Sequence, residues 1–183
     1  MDLRRLEATE RRLAALHEAG HAVLAREMGM LGISAEIWRA RAPSPECKSW
    51  AGHVQFLNLF ASQDPFGRRM LGVAGLVAVN LYLGREPVAN SAGLDTLSPS
   101  DLAMAGVPAD AETSLGSEDS HDLIRACAAV AELFRQPEIR ALLFRTARRL
   151  ILEATGRYDG PLFAPGPALP RQAAPELSLA MAG

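Results

Sequence analysis

Leu13-Ala14-Ala15-Leu16-His17-Glu18-Ala19-Gly20-His21-Ala22-Val23-Leu24 is the stretch on which the reading of this chain turns. Leu13, Leu16, Gly20, Val23 and Leu24 recur at spacings of three and four, the period of a helix with a buried side. His17 and His21 lie four apart, so they stand one turn above each other on one face, and their imidazoles can converge on a single ion. With Glu18 between them the segment reads HExxH. In that pattern the two histidines hold zinc, and the glutamate takes a proton from a water that the metal acidifies. Paired histidines on a buried face need partners for their ring nitrogens, and one ion serves both. His17 and His21 are therefore the expected metal ligands, Glu18 the expected catalytic base and Zn2+ the expected cofactor.

Outward from this segment the pattern predicts a mainly α fold with a small β-sheet or hairpin, an α+β arrangement in one domain over residues 1–156. Arg4 to Met28 reads as one helix closed by Gly29, with Gly32 as a second breaker. Ile33 to Ala40 and Gly52 to Phe56 alternate in polarity on either side of Pro43-Ser44-Pro45-Glu46-Cys47, which predicts a hairpin. An edge strand beside the histidine helix is suited to hold a substrate backbone. His53 falls on this strand and, lacking a spaced partner, reads as an ordinary strand residue. Asp64-Pro65 opens a second helix running to Gly84. Residues 85–120 are rich in Gly, Pro, Ser and Asp and, apart from a short helix after Asp101, are expected to form a mobile rim of the cleft. Asp122 to Phe134 and Glu138 to Thr155 are two closing helices separated by Pro137. Beyond Gly156, prolines 161, 165, 167, 170 and 175 cannot sustain a helix, so residues 157–183 are expected to be an extended or disordered tail.

Leu16-His17-Glu18-Ala19-Gly20-His21-Ala22-Val23 resembles the zinc helix of the peptidase domain of the FtsH-type ATP-dependent membrane proteases, where HEAGHA is typical. The small Ala19-Gly20 pair lets another helix approach closely. Ala74-Gly75-Leu76-Val77-Ala78-Val79-Asn80-Leu81-Tyr82-Leu83-Gly84 is similar to that family's second core helix, which reads GGRAAEELVFG, but Val79 and Asn80 stand where the family has two glutamates. Thr96-Leu97-Ser98-Pro99-Ser100-Asp101-Leu102-Ala103-Met104-Ala105 is similar to its TxxxxDLxxA stretch. The aspartate there is the third zinc ligand, so the resemblance implies Asp101. The chemistry agrees, since a catalytic zinc wants three protein ligands and a water. Ser98-Pro99-Ser100 also reads as a helix start, with a hydroxyl as N-cap. Ser120-His121-Asp122-Leu123-Ile124-Arg125-Ala126 repeats DLxxA, which leaves Asp122 as the alternative third ligand. His121 is a further donor, or simply a loop residue at a helix end. The resemblance covers residues 11 to 155 in outline. No GxxxxGK[ST] phosphate loop occurs in the sequence, so it implies a stand-alone peptidase-like domain without the ATPase module.

Composition narrows the partners. The 183 residues are 49% hydrophobic and 22% charged, with a formal net charge of −2, ordinary values for a packed domain and no electrostatic case for nucleic acid. Arginine pairs such as Arg68-Arg69 and Arg148-Arg149 are read as solvated helix faces. Cys47 and Cys127 are too few and too far apart for a disulfide scaffold, and the N-terminus has no apolar leader, so a cytoplasmic setting is expected. Met70 to Gly84 is the longest apolar run and is too short for a membrane span. The expected activity is hydrolysis of peptide bonds in a protein or peptide substrate, directed either broadly or at one dedicated partner. The alternatives are a catalytically inactive zinc-binding scaffold or regulatory interaction protein, and a metal-free structural module. The sequence leaves the oligomeric state open, a homo-oligomer included.

Overall fold

The computed structural model describes residues 3–39, 50–57, 64–86, 88–107 and 116–154. It is mainly helical with one two-stranded antiparallel sheet, the fold class that the periodicities predict. Helix α1 (Leu3–Glu27) is rich in Ala and Leu and runs through the middle of the molecule. It stops where predicted: Gly29 takes φ 75°, its N–H donates to the Arg26 carbonyl at 2.9 Å, and the Met30 N–H donates to the Ala25 carbonyl at 2.9 Å. That is a glycine-closed Schellman end. Strands β1 (Leu31–Arg39) and β2 (Trp50–Leu57) follow, with Glu36 opposite His53 and Ile37 opposite Gly52. Ile33, Ala35 and Ile37 alternate inward and are buried, so this face of the sheet packs on α1.

Helix α2 (Pro65–Tyr82) starts as Asp64-Pro65 predicts. The Asp64 carboxylate accepts from the Gly67 N–H at 2.7 Å, and Pro65 occupies the first turn. Every residue from Leu71 to Ala78 is buried, because α1 packs on one side of this helix while α3 and α4 pack on others. Contact with α1 is at backbone distance. A Cβ built on Gly20 would lie 2.5 Å from the Ala74 carbonyl oxygen and 2.9 Å from the Ala78 Cβ. The small residues of the two helices thus set their separation.

A 3-10 turn (Ser91–Leu94) leads to the short α3 (Pro99–Met104), then to α4 (Ser117–Arg135) and α5 (Pro137–Glu153). The described part of the expected rim carries buried Val88, Leu94, Leu97, Ala105 and Val107, so it belongs to the packed core. Helix α4 begins at Ser117, five residues before the predicted start at Asp122. Glu118 and Asp119 occupy its first turn, where the helix dipole favours acids. His121 consequently sits within α4 on an exposed face and is not a loop residue. Gln136, at φ −59° and ψ 131°, is the single extended residue between α4 and α5, and Pro137 opens the second of them. One core built on Leu24, Leu71, Leu94, Leu123, Phe134, Leu143 and Leu150 joins all of these elements. No helix among the described residues is long and apolar enough to cross a membrane. The predicted tail, 157–183, and Cys47 lie outside the described residues.

Candidate metal centre

The second half of α1 carries His17 and His21 on one face, with ring centroids 4.8 Å apart and planes inclined at 71°. Their Nε2 atoms approach to 3.1 Å. Asp101, from α3, brings Oδ1 to 3.3 Å from His17 Nε2 and 3.2 Å from His21 Nε2. These donors form a nearly equilateral triangle. A tetrahedral ion with ligands at about 2.0–2.1 Å separates neighbouring ligand atoms by roughly 3.3 Å, so the triangle matches one face of such a tetrahedron. Among the described residues, His17, His21 and Asp101 are grouped closely enough to share a metal ion.

Hydrogen bonds orient two of the three donors. His21 Nδ1 lies 2.8 Å from the Leu71 carbonyl on α2, which assigns the proton to Nδ1 and leaves the Nε2 lone pair facing the triangle. Asp101 is the third residue of α3, where a capping box forms with Ser98. The Asp101 N–H donates to Ser98 Oγ at 3.2 Å, and the Ser98 N–H donates to Asp101 Oδ2 at 3.0 Å. One carboxylate oxygen is thereby committed to the helix start, and Oδ1 faces the histidines. Placing a buried carboxylate against an imidazole lone pair brings acceptors together, and only a proton or a cation relieves that. The electrostatics point the same way. Burial opposes charge on both Asp101 and His21, yet the hydrogen bonds and charges of His17 and His21 hold the Asp101 carboxyl far below its usual range. The hydrogen bond that His21 donates to Asp101 and the charges of Glu18 and Asp101 likewise lift His21 above its usual value.

Glycines on α2 make room for the triangle. A Cβ on Gly75 would lie 2.5 Å from His17 Cε1 and Nδ1, and 2.6 Å from Nε2, so the imidazole rests directly on that backbone. A Cβ on Gly72 would lie 2.6 Å from the Asp101 carbonyl oxygen, so α3 approaches α2 as closely as α1 does. His17 is the accessible member of the group. Its side chain is 28% exposed, against 1% for His21 and 4% for Asp101.

Glu18 is buried, at 7% exposure, beneath the β2 backbone at Gly52. Burial raises its pKa, an effect that His21 and His17 reduce and do not cancel. A carboxyl raised in this way holds its proton more firmly than an exposed one.

The remaining sequence candidates do not join the triangle. Asp122 does not join the histidines; it sits on the surface of α4 with Oδ1 3.5 Å from Arg125 Nη1. The two DLxxA stretches differ because α3 packs against α2 at Gly72, while Asp122 faces outward from its helix. His53 pairs across the sheet with Glu36 at 3.2 Å and meets the Trp38 ring edge-on, as an ordinary strand residue would. Val79 and Asn80 are half-buried on α2.

Sequence reasoning missed Arg69, which it placed on a solvated face. This guanidinium is largely buried; it donates to the Ala105 carbonyl at the end of α3 at 2.8 Å and pairs with Asp119 in the first turn of α4. It therefore ties the helix bearing Asp101 to its neighbours. Only its place on the inward side of a helix start could have signalled this. Neither a protein-family model nor a curated protein matches the chain.

Proposed function

We propose that this chain is a zinc-dependent peptidase of the HExxH type, organised like the peptidase domain of FtsH-type proteases, with His17, His21 and Asp101 as metal ligands and Glu18 as general base. The observation that carries the reading is the triangle itself. Three electron-pair donors from α1 and α3 converge at 3.1–3.3 Å, with one imidazole's outer nitrogen already donating to a backbone carbonyl. Two imidazoles and a carboxylate suit zinc, and the acidic residue adjoining the first histidine is the partner that zinc hydrolysis requires.

When bound, zinc supplies a Lewis acid that polarises a carbonyl and acidifies water. The chain's own residues do the rest. Glu18, buried beside the ligands, accepts a proton from the attacking water and returns it to the departing amine. The Leu71 carbonyl and the Ser98 N–H fix His21 and Asp101, so these ligands need not reorganise during turnover. Reactants enter from the side of His17, the exposed ligand. The substrate is a protein or peptide.

The test pairs metal analysis with turnover. Protein purified without added zinc is expected to hold one equivalent, and to cleave a peptide library in a chelator-sensitive manner. Glu18→Gln is expected to retain the metal and to lose roughly 10²–10⁴-fold in kcat. Equal turnover of wild type and Glu18→Gln would defeat the assignment of the base. A zinc-binding scaffold without turnover is the second reading, favoured by the burial of Glu18 beneath β2 and by Val79 and Asn80 in place of acids. It predicts bound zinc with no cleavage of any library member.

A further inference from the structure

Strand β2 runs along α1 with its even-numbered residues turned towards the helix. Trp50 lies under the Arg11 guanidinium, whose carbon is 4.7 Å from the ring centroid, and Val54 and Phe56 pack on the core. Arg11 and Glu18 are seven residues apart and so share one side of α1. Gly52 is the next inward position after Trp50, and it meets Glu18. A Cβ built on Gly52 would lie 2.6 Å from Glu18 Cγ, closer than real Cβ atoms come, and 3.0 Å from Oε1, so the acid would have to shift to admit it. The strand thus presents a large ring over the arginine and no side chain over the acid.

We propose that Gly52 is a positioning residue for the reaction, because the space left by its missing side chain is where Glu18 is held beside His17, His21 and Asp101. This inference rests on the peptidase reading for its catalytic consequence, and on geometry alone for the coupling between positions 52 and 18. No torsional demand accounts for the glycine, since its backbone is not among the left-handed positions of the chain. There is one competing cause. The same Cβ would lie 2.9 Å from the Glu36 carbonyl oxygen on β1, so glycine could be needed for the sheet instead of for the acid.

A double-mutant cycle separates the two. Gly52→Ala, Glu18→Ala and the double variant are melted as metal-free proteins, and zinc affinity and peptide turnover are measured on each. Gly52→Ala is expected to lower Tm, and Glu18→Ala to recover at least half of that loss, because the Cγ and Oε1 conflicts vanish while the Glu36 contact stays. If Gly52→Ala fails to fold while the double variant folds, the coupling is shown directly. An equal loss in both backgrounds, or failure of both to fold, overturns the proposal in favour of the sheet. Turnover of Gly52→Ala is expected to fall at least tenfold in kcat, with KM and zinc affinity within threefold of wild type. Unchanged kcat overturns the positioning role. If wild type itself cleaves nothing, the peptidase reading falls, and the melting cycle alone decides whether Gly52 makes room for Glu18.

Discussion

Replacing Gly75 by alanine would separate metal binding from folding in a way the geometry makes quantitative. The added methyl would stand 2.5–2.6 Å from three atoms of the His17 ring, and ordinary carbon contacts begin near ~3.5 Å, so the ring must withdraw by about 1 Å. Metal–ligand distances tolerate only about 0.2 Å. His17 is then lost as a ligand, and the remaining pair, His21 and Asp101, holds zinc poorly. Removing an outer-shell partner already costs about 10–100-fold in affinity, so displacing a ligand should cost at least ~100-fold, or about 2.7 kcal/mol. Folding should respond in the opposite sense. His17 has a solvent-exposed side towards which to turn, and alanine is favoured over glycine inside a helix by about 1 kcal/mol. The metal-free variant is therefore expected to melt at or above the wild-type temperature, yet gain little from added zinc. Competition with a chromogenic chelator measures the affinity, and melts with and without zinc measure the rest. A zinc Kd within threefold of wild type would refute the account of how His17 is seated.

Three further outcomes follow from the same geometry. Asp101→Ala should abolish stoichiometric zinc after gel filtration, whereas Asp122→Ala, changed on the surface of α4, should retain it; zinc loss from Asp122→Ala alone would reverse the ligand assignment. In the metal-free protein, burial lowers the affinity of His21 for its proton, but the hydrogen bond it donates to Asp101 and the charges of Glu18 and Asp101 outweigh that and raise its pKa. The stability so gained is complete below the ordinary value of 6.5 and is lost as pH rises through the raised one, while zinc must displace the same proton. Metal-free Tm should thus fall, and the zinc-induced increment grow, as pH rises above 6.5; parallel trends would contradict this. Cys127 is fully buried and its thiol is pushed up to about 12 by burial, so in a Cys47→Ser background a disulfide reagent at pH 8 should label it only at the rate of unfolding. Rapid labelling of the native protein would show that the core around α4 opens locally.

What could be read from the sequence was what local spacing encodes. The HExxH helix, its glycine stop, the hairpin and the Asp64-Pro65 and Ser98-Pro99 helix starts are all short-range signals, and each is found within a few residues of its expected place. The choice between Asp101 and Asp122 was not local. Both residues lie near the start of an apolar helix, and only the close approach of α3 to Gly72 brings one of them to the histidines. The resemblance favoured Asp101, but spacing alone did not. Gly75 and Gly52 were equally silent, because a glycine in a helix or strand says that something comes close without saying what. The start of α4 was placed late because Ser117 to Ser120 read as a polar loop, when two of those residues are first-turn acids. Arg69 was misplaced for a related reason: its partners, Ala105 and Asp119, are 36 and 50 residues away.

His17 and Asp101 lie 84 residues apart in the chain, so an ion held between them would clasp α1 to α3. Closing so long a loop restricts the unfolded chain much as a covalent cross-link does, and ligand binding adds to the folding free energy in proportion to the logarithm of free metal.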